Sequence, residues 1–411
     1  MNRVKLGDIA DIQLGKMLDA KKNKGEYHPY LANIHVRWGE FDVSDLPSMR
    51  FEEAEKGRFS LRNGDLIMCE GGEPGRCAIW RNQLPNVYYQ KALHRIRPHK
   101  DIVDVRWLYY WFLLQGRIGG LKKHFVETTI KHLVGEDLKC VEIDLPSLEL
   151  QNAVADALSA IDDKIALNKR MMSELEETAR LIYDYWFTQF DFPDENGNPY
   201  RSSGGKMTYS KTLNREIPAG WRVANLSMLV DEISDSTDTI NMPKNWRYTP
   251  IDDIPKRTMV LFGGRHSESA STSLQLYREN DILIGAMRVY FHRVCIAAQN
   301  GITRSTSIVL RPKNFTWHGY IYETLNDDRC IAYATKASVG TQQPYVTWDG
   351  GLSNYEIPLP PDHLICKYSS FAQPTIQKAK SLAKESFELE SLRNWLLPML
   401  MNGQVSIQSE A

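Results

Sequence analysis

The sequence predicts an α+β protein built twice, as a mixed globule and a long helix followed by a second globule and a second long helix. Three observations carry this. First, between Pro146 and Phe187 the residues Val154, Leu158, Ile161, Ile165, Asn168, Met172, Leu175, Ala179, Ile182 and Trp186 recur at gaps that alternate four and three. All but Asn168 are apolar, which is the pattern of a coiled-coil seam. Second, Pro146 matches Pro360 (360 − 146 = 214), and the same shift relates Leu175-Glu176 to Leu389-Glu390 and Ile182 to Leu396. Third, short motifs of the first globule return in order in the second. An internal duplication of this kind implies pseudo-two-fold architecture, with two long antiparallel helices paired as a coiled coil.

Residues 1–145 form the first globule. Runs at 64–68 (GDLIM), 77–80 (CAIW) and 93–97 (LHRIR) read as strands between Gly and Pro turns, and 105–115 (VRWLYYWFLLQ) as a buried helix. The first long helix takes 146–190. Ser147 is able to cap its free N–H groups, and Glu149 complements its positive end. At about 1.5 Å per residue such a helix is roughly 60 Å long, longer than a small domain is wide, so it needs a partner helix. A core helix of one large domain would be apolar more widely, whereas charged residues flank this seam. Leu167 and Leu181 lie off the seam, fourteen residues apart on one face, and mark a second contact surface for another protein.

A linker rich in turn residues occupies 191–216, with DFPDENGNPYRSSGGK at its start. The second globule, 217–360, echoes the first. Leu6-Gly7-Asp8-Ile9 returns loosely as Leu226-Ser227-Met228-Leu229, and Tyr30 as Tyr248. Arg62-Asn63-Gly64-Asp65-Leu66-Ile67 returns as Arg278-Glu279-Asn280-Asp281-Ile282-Leu283, Arg97-Pro98 as Arg311-Pro312, and IDLP as IPLP. The second long helix takes 361–403, with a tail at 404–411. Asn168 aligns with Leu382 in this copy. Pro374 is expected to kink or start the helix, leaving a regular part from about Thr375 to Met401.

A chain of 411 residues exceeds what one hydrophobic core serves, in keeping with two domains. The formal net charge of −1 gives no global sign of a nucleic-acid binder, so such a role must rest on local patches. Six scattered cysteines without metal spacing suit reduced thiols. No apolar signal core or membrane-length run is present, so a soluble cytoplasmic protein without membrane contact is expected.

Taken together, several stretches resemble the specificity subunit of type I restriction-modification systems over nearly the whole chain. They are Asn63-Gly64-Asp65-Leu66-Ile67 followed by Glu70-Gly71-Gly72-Glu73-Pro74-Gly75-Arg76, and Thr128-Thr129-Ile130-Lys131-His132-Leu133 before Ile143-Asp144-Leu145-Pro146. In the second half they are Ile217-Pro218-Ala219-Gly220-Trp221, and Gly340-Thr341-Gln342-Gln343-Pro344 before Ile357-Pro358-Leu359-Pro360. The second globule departs where Gly285-Ala286-Met287-Arg288 replaces the Gly-Gly turn. The resemblance implies two target-recognition domains held by two helices, each reading one half of an asymmetric bipartite site in double-stranded DNA. It also implies two modification subunits, which bind S-adenosylmethionine, and restriction/translocase subunits that use ATP and Mg. The chain itself would bind no cofactor or metal and would not be an enzyme. Leu167 and Leu181 become the expected docking points for modification subunits.

For DNA contacts the first globule offers Arg37, Trp38, Arg58, Arg62, Gly71, Gly72, Arg76, Lys91, His94, Thr129, Lys131 and His132. The second offers Arg257, Arg265, His266, Arg288, His292, Arg293, Arg304, Lys336, Gln342 and Gln343. Arginine addresses guanine and glutamine adenine through paired hydrogen bonds, while lysine mostly neutralises phosphate. Glycine lets another group approach the backbone closely, the alternative for Gly71-Gly72 being a plain hairpin turn. No methyltransferase tetrapeptide, P-loop lysine or HExxH stands in the chain. Pro193-Asp194-Glu195 has no Glu-x-Lys partner, which argues against a fused restriction enzyme. The competing expectation is a coiled-coil scaffold whose globules bind proteins instead of DNA.

Overall fold

The computed structural model describes residues 2–17, 19, 23–127, 131–271 and 273–405. They fall into two compact units, residues 1–163 with 391–411, and residues 164–390. Each unit is a mixed globule with part of both long helices.

In the first unit a four-stranded antiparallel sheet has the order Ala10–Leu14, Leu93–Pro98, Leu66–Cys69, Cys77–Ile79. In the second unit the order Val230–Glu232, Ser307–Pro312, Ile282–Gly285, Val294–Ala297 repeats it, and Val260–Leu261 adds a parallel edge strand. The copies agree in register. Leu66 pairs with Ile96 and Ile79, and Ile282 with Leu310 and Ile296. Each globule is closed by pairing its first strand with its last, Val4 opposite Ile143 and Ala224 opposite Ile357. That explains why IDLP and IPLP precede the helices.

The repeated Arg-x-x-Asp motif is a clamp. Asp65 is 1% exposed, takes two hydrogen bonds from Arg97 at 2.7 and 2.8 Å, and accepts the backbone N–H of Arg62 at 2.8 Å. Asp281, also 1% exposed, is held identically by Arg311 at 2.7 and 2.8 Å and by the N–H of Arg278 at 2.7 Å. Gly64 and Asn280 occupy the same left-handed position before the aspartate, with φ of 90° and 73°. Glycine adopts that conformation freely and asparagine at modest cost.

The aromatic helix of the first globule runs from Val105 to Ile118, capped by Asp104, whose carboxylate accepts the N–H of Arg106 at 2.7 Å. Gly119 ends it in the left-handed conformation. The first long helix extends from Leu148 to Tyr183 and continues as a π-helical turn over Asp184–Thr188. Every one of its heptad positions from Val154 to Trp186 is buried or half-buried. In the first unit Val154, Ala155 and Leu158 share a core with Leu397 and Leu400, and Arg393 bonds Asp162 at 2.6 Å. In the second unit Asn168, fully buried, donates to Glu385 at 2.8 Å, and Tyr368 donates to the Ala179 carbonyl at 3.1 Å. Within each unit, therefore, the helices run antiparallel.

One expectation changes. The second long helix is continuous from Asp362 to Met401, so Pro374 neither starts nor ends it. Pro374 and Ser370, whose carbonyl it leaves without a helical donor, both face solvent, where water can satisfy that oxygen. Ala372, Ile376 and Ala379 on the opposite face are buried and hold the helix through the proline. The linker, rich in turn residues, is itself packed. Phe190, Phe192 and Trp221 are buried together, Phe192 stacks on Tyr200 at 4.6 Å, and Asp191 accepts both the N–H and hydroxyl of Ser202 at 2.7 Å. Trp221 of the IPAGW lead-in is its anchor. Among the described residues no helix is long and apolar enough to cross a membrane.

Glu176 of the first long helix is half-buried and accepts the N–H of Met259 at 2.6 Å. Burial pushes its carboxyl up to about 7 despite that bond. A carboxyl raised on folding stabilises the protein below its unfolded value and loses that contribution as pH rises through 7. Glu176→Gln is therefore expected to gain stability relative to the parent between pH 5 and pH 8, by on the order of 2 kcal/mol. Urea unfolding of both proteins across that range checks it, and parallel pH profiles would contradict it.

Candidate nucleic-acid interface

The strand Leu66–Cys69 is fully buried, so whatever it positions lies at its two ends. At the trailing end, Glu70–Arg76 forms a loop closed by Gly75 N–H donating to the Cys69 carbonyl at 3.0 Å. The Glu70 carbonyl accepts Leu133 N–H at 2.8 Å, and Gly71 bridges to His132. A Cβ on Gly71 would sit 3.0 Å from the His132 ring. The bare backbone there serves a close approach, and the group that approaches is His132.

Around this loop the first unit gathers most of its predicted contacts. Arg76 is held by Glu73 at 2.8 Å and by the Asn33 carbonyl at 3.0 Å, and Trp38 donates its indole N–H to Glu73 at 2.9 Å. Arg37 is exposed on the neighbouring turn, donating to the Val36 carbonyl at 3.2 Å. Gly72 is exposed with φ of 79°. Lys91 is exposed beside Ala92, whose carbonyl accepts Glu70 N–H at 2.9 Å, and Lys131 is exposed next to His132. Arg62 sits at the opposite end of the strand, and Arg58 lies on the Glu53–Phe59 helix with its guanidinium 5.1 Å from the Phe59 ring centre. Thr129 lies outside the described residues. His94 is corrected: it has no exposed surface, and its Nε2–H donates to the Leu133 carbonyl at 2.9 Å. Burial lowers its pKa, so it is a neutral strut fixing the Lys131–Leu133 segment.

The second unit builds the corresponding loop without a Gly-Gly pair. After the strand Ile282–Gly285, the Ala286 carbonyl accepts Val346 N–H at 3.1 Å, Met287 bridges to Tyr345, and Arg288 N–H donates to the Pro344 carbonyl at 2.7 Å. The Arg288 guanidinium reaches the Gln342 carbonyl at 3.3 Å, so Arg288, Gln342 and Gln343 come together. Arg288 and His292 are both left-handed, with φ of 51° and 55°. His292 is also corrected, being 3% exposed and donating to Asn326 Oδ1 at 2.8 Å. Arg257 is exposed, donates its N–H to the His292 carbonyl at 3.0 Å and pairs with Asp328 at 2.8 Å. Arg265 takes Asp253 at 2.6 and 2.7 Å, and Arg293 donates to the Asp252 carbonyl at 2.8 Å, so both are committed to protein acceptors. Arg304 is half-buried at a strand end, while His266 and Lys336 are exposed. Sequence reasoning missed Tyr290 and Tyr345, 49% and 48% exposed beside Arg288. Tyr290 lies between the left-handed residues Arg288 and His292, a turn that motif spacing does not reveal.

On the helices Leu167 and Leu181 are 39% and 56% exposed. Trp395, at the position equivalent to Leu181 (181 + 214 = 395), is 58% exposed. The duplication already contained that signal.

Residues 1–177 match the family model described as Type I restriction modification DNA specificity domain. Two proteins of Methanocaldococcus jannaschii extend the likeness beyond that segment. The type I restriction enzyme MjaIX specificity subunit is 28% identical over 91% of this chain and 84% of its own length. The MjaVIII specificity subunit is 21% identical over 99% and 93%. Over most of its length the chain is similar to type I restriction-modification specificity subunits. A crystal structure of such an S subunit from M. genitalium, at 16% identity, shares the fold over 97% of this chain and 95% of its own with a TM-score of 0.56. In this chain the two corresponding loops occupy one place in a repeated scaffold and carry different side chains.

Proposed function

We propose that this chain is a specificity subunit, each globular domain of which reads one half of an asymmetric, bipartite site in double-stranded DNA. The observation that carries this is the pair of equivalent loops. Each follows the central strand and is bridged to a late segment of its own domain, Gly71 to His132 and Met287 to Tyr345. The first presents Arg37, Lys91, Lys131 and the glycine turn, the second Arg288, Gln342 and Gln343. One scaffold with two contact sets gives two different half-sites. Joining two readers makes the second engagement intramolecular, so modest readers combine into a specific one.

The chain supplies address and assembly, and other subunits supply chemistry. Leu167 and Leu181, with Trp395 at the duplicated position, serve as docking points for two modification subunits carrying S-adenosylmethionine. Restriction subunits using ATP and Mg complete the complex in the cytoplasm. Methylating an adenine requires the base to leave the stack, so DNA distortion near the half-sites is part of this reading.

Salt titration of DNA binding tests it against a protein-binding scaffold. With exposed Arg37, Lys91 and Lys131 around the first loop and half-buried Arg288 in the second, log affinity should fall against log salt with a slope of about −4 or steeper, each phosphate contributing about −0.9. A slope near zero would contradict DNA recognition.

A further inference from the structure

A cleft of about 690 Å³ opens in the second unit between the first long helix, its π-helical turn, the 257–259 loop and the helix His318–Asn326. Six carboxylates line it, Glu176, Glu177, Asp184, Glu323, Asp327 and Asp328, against Arg180, Arg257 and Arg329. Two of these arginines are already neutralised, Arg257 by Asp328 at 2.8 Å and Arg329 by Asp327 at 2.6 Å. Arg180 alone then faces Glu176, Glu177, Asp184 and Glu323.

Glu323 makes this more than an acidic patch. It lines the cleft at 4% exposure, and no hydrogen bond or ion pair within the described residues reaches its carboxylate. A buried carboxyl without a partner either keeps its proton or takes a cation from outside, because leaving the charge bare costs several kcal/mol. The position is not a requirement of the fold. The shift of 214 holds on both sides of it, at Arg97/Arg311 and Ile143/Ile357, and it places the aromatic Tyr109 at the equivalent site (323 − 214 = 109). Among the described residues no group of three or more His, Cys, Asp or Glu is arranged to hold a metal ion. That leaves a cation able to bond through N–H groups in a roomy cleft.

We propose that this cleft is a receptor for an alkylammonium or guanidinium group, with Glu323 as its buried counter-ion and Glu176 as the second carboxylate. Such a group comes either from a free polyamine or from a basic side chain of a subunit docked on the first long helix. The second source rests on the docking reading above, where Leu181 follows Glu177 by one turn and is 56% exposed.

Calorimetry on the full chain with spermidine tests the proposal without any partner. Saturable binding is expected, weakened at least tenfold by Glu323→Gln and not reproduced by magnesium at equal ionic strength. Should Glu323→Gln fail to fold, Glu176→Gln supplies the same test, since its amide oxygen can still accept the Met259 N–H. Adding the modification subunit separates the sources. Expulsion of spermidine on assembly, with assembly weakened tenfold by the same variants, assigns the site to a partner's side chain, and retention of spermidine in the complex assigns it to a free amine. If neither spermidine binding nor assembly responds to Glu323→Gln or Glu176→Gln, the proposal is wrong and Glu323 is a protonated core residue.

Discussion

Asp65→Ala and Asp281→Ala should each destabilise the domain that holds them by about 3 kcal/mol, a large share of the stability of an ordinary domain. Each change removes the acceptor of two guanidinium hydrogen bonds and of one backbone N–H, and leaves an arginine facing the vacated site. The loss should be greater for Asp65, because the side chain of Arg97 is 27% exposed whereas that of Arg311 is 41% exposed and hydrates more readily when freed. Chemical denaturation followed by proteolysis of each domain measures both. Losses below about 1 kcal/mol would show that the clamps are ornamental and that the duplicated register has another cause.

The second large effect concerns assembly. Leu167→Asp combined with Leu181→Asp is expected to weaken association with the modification subunit about a hundredfold. Two exposed leucines buried by a partner contribute roughly 1.5 kcal/mol each, and a charge at those positions opposes contact. Both side chains point away from the seam, so folding and helicity should be unchanged. Trp395→Asp should have the equivalent effect through the second helix. Analytical ultracentrifugation of the mixed subunits gives the affinity, and normal assembly by the folded double variant would exclude this face.

Much of the architecture could be read before any coordinates because it is encoded by repetition. The alternating gaps from Val154 to Trp186 depend only on side-chain polarity, and each of those positions is indeed at least half-buried. The shift of 214 located the second helix and the closing strands, since homologous segments keep their spacing even where side chains differ. What escaped was set by tertiary packing. Turn-forming residues between Asp191 and Lys206 marked a linker, but not its packing, in which Phe190, Phe192 and Trp221 are buried in one core. Pro374 suggested a break, yet its place on the solvent face lets the helix pass through. His94 and His292 stand among the expected contacts, but both are enclosed and bond main-chain or amide oxygens. Burial of a single histidine has no local sequence signature. Among the arginines offered as contacts, Arg265 and Arg293 are spent on protein acceptors, a commitment that residue type and spacing do not reveal.

The central claim is that one polypeptide carries two independent readers on a duplicated frame. Methylome mapping in cells that express the modification subunit with this chain, or with a chain whose residues 1–145 come from another specificity subunit, tests it most directly. One half of the methylated motif should change while the other half stays the same. An unaltered motif, or the simultaneous loss of both halves by a folded, assembled chimera, would contradict the account.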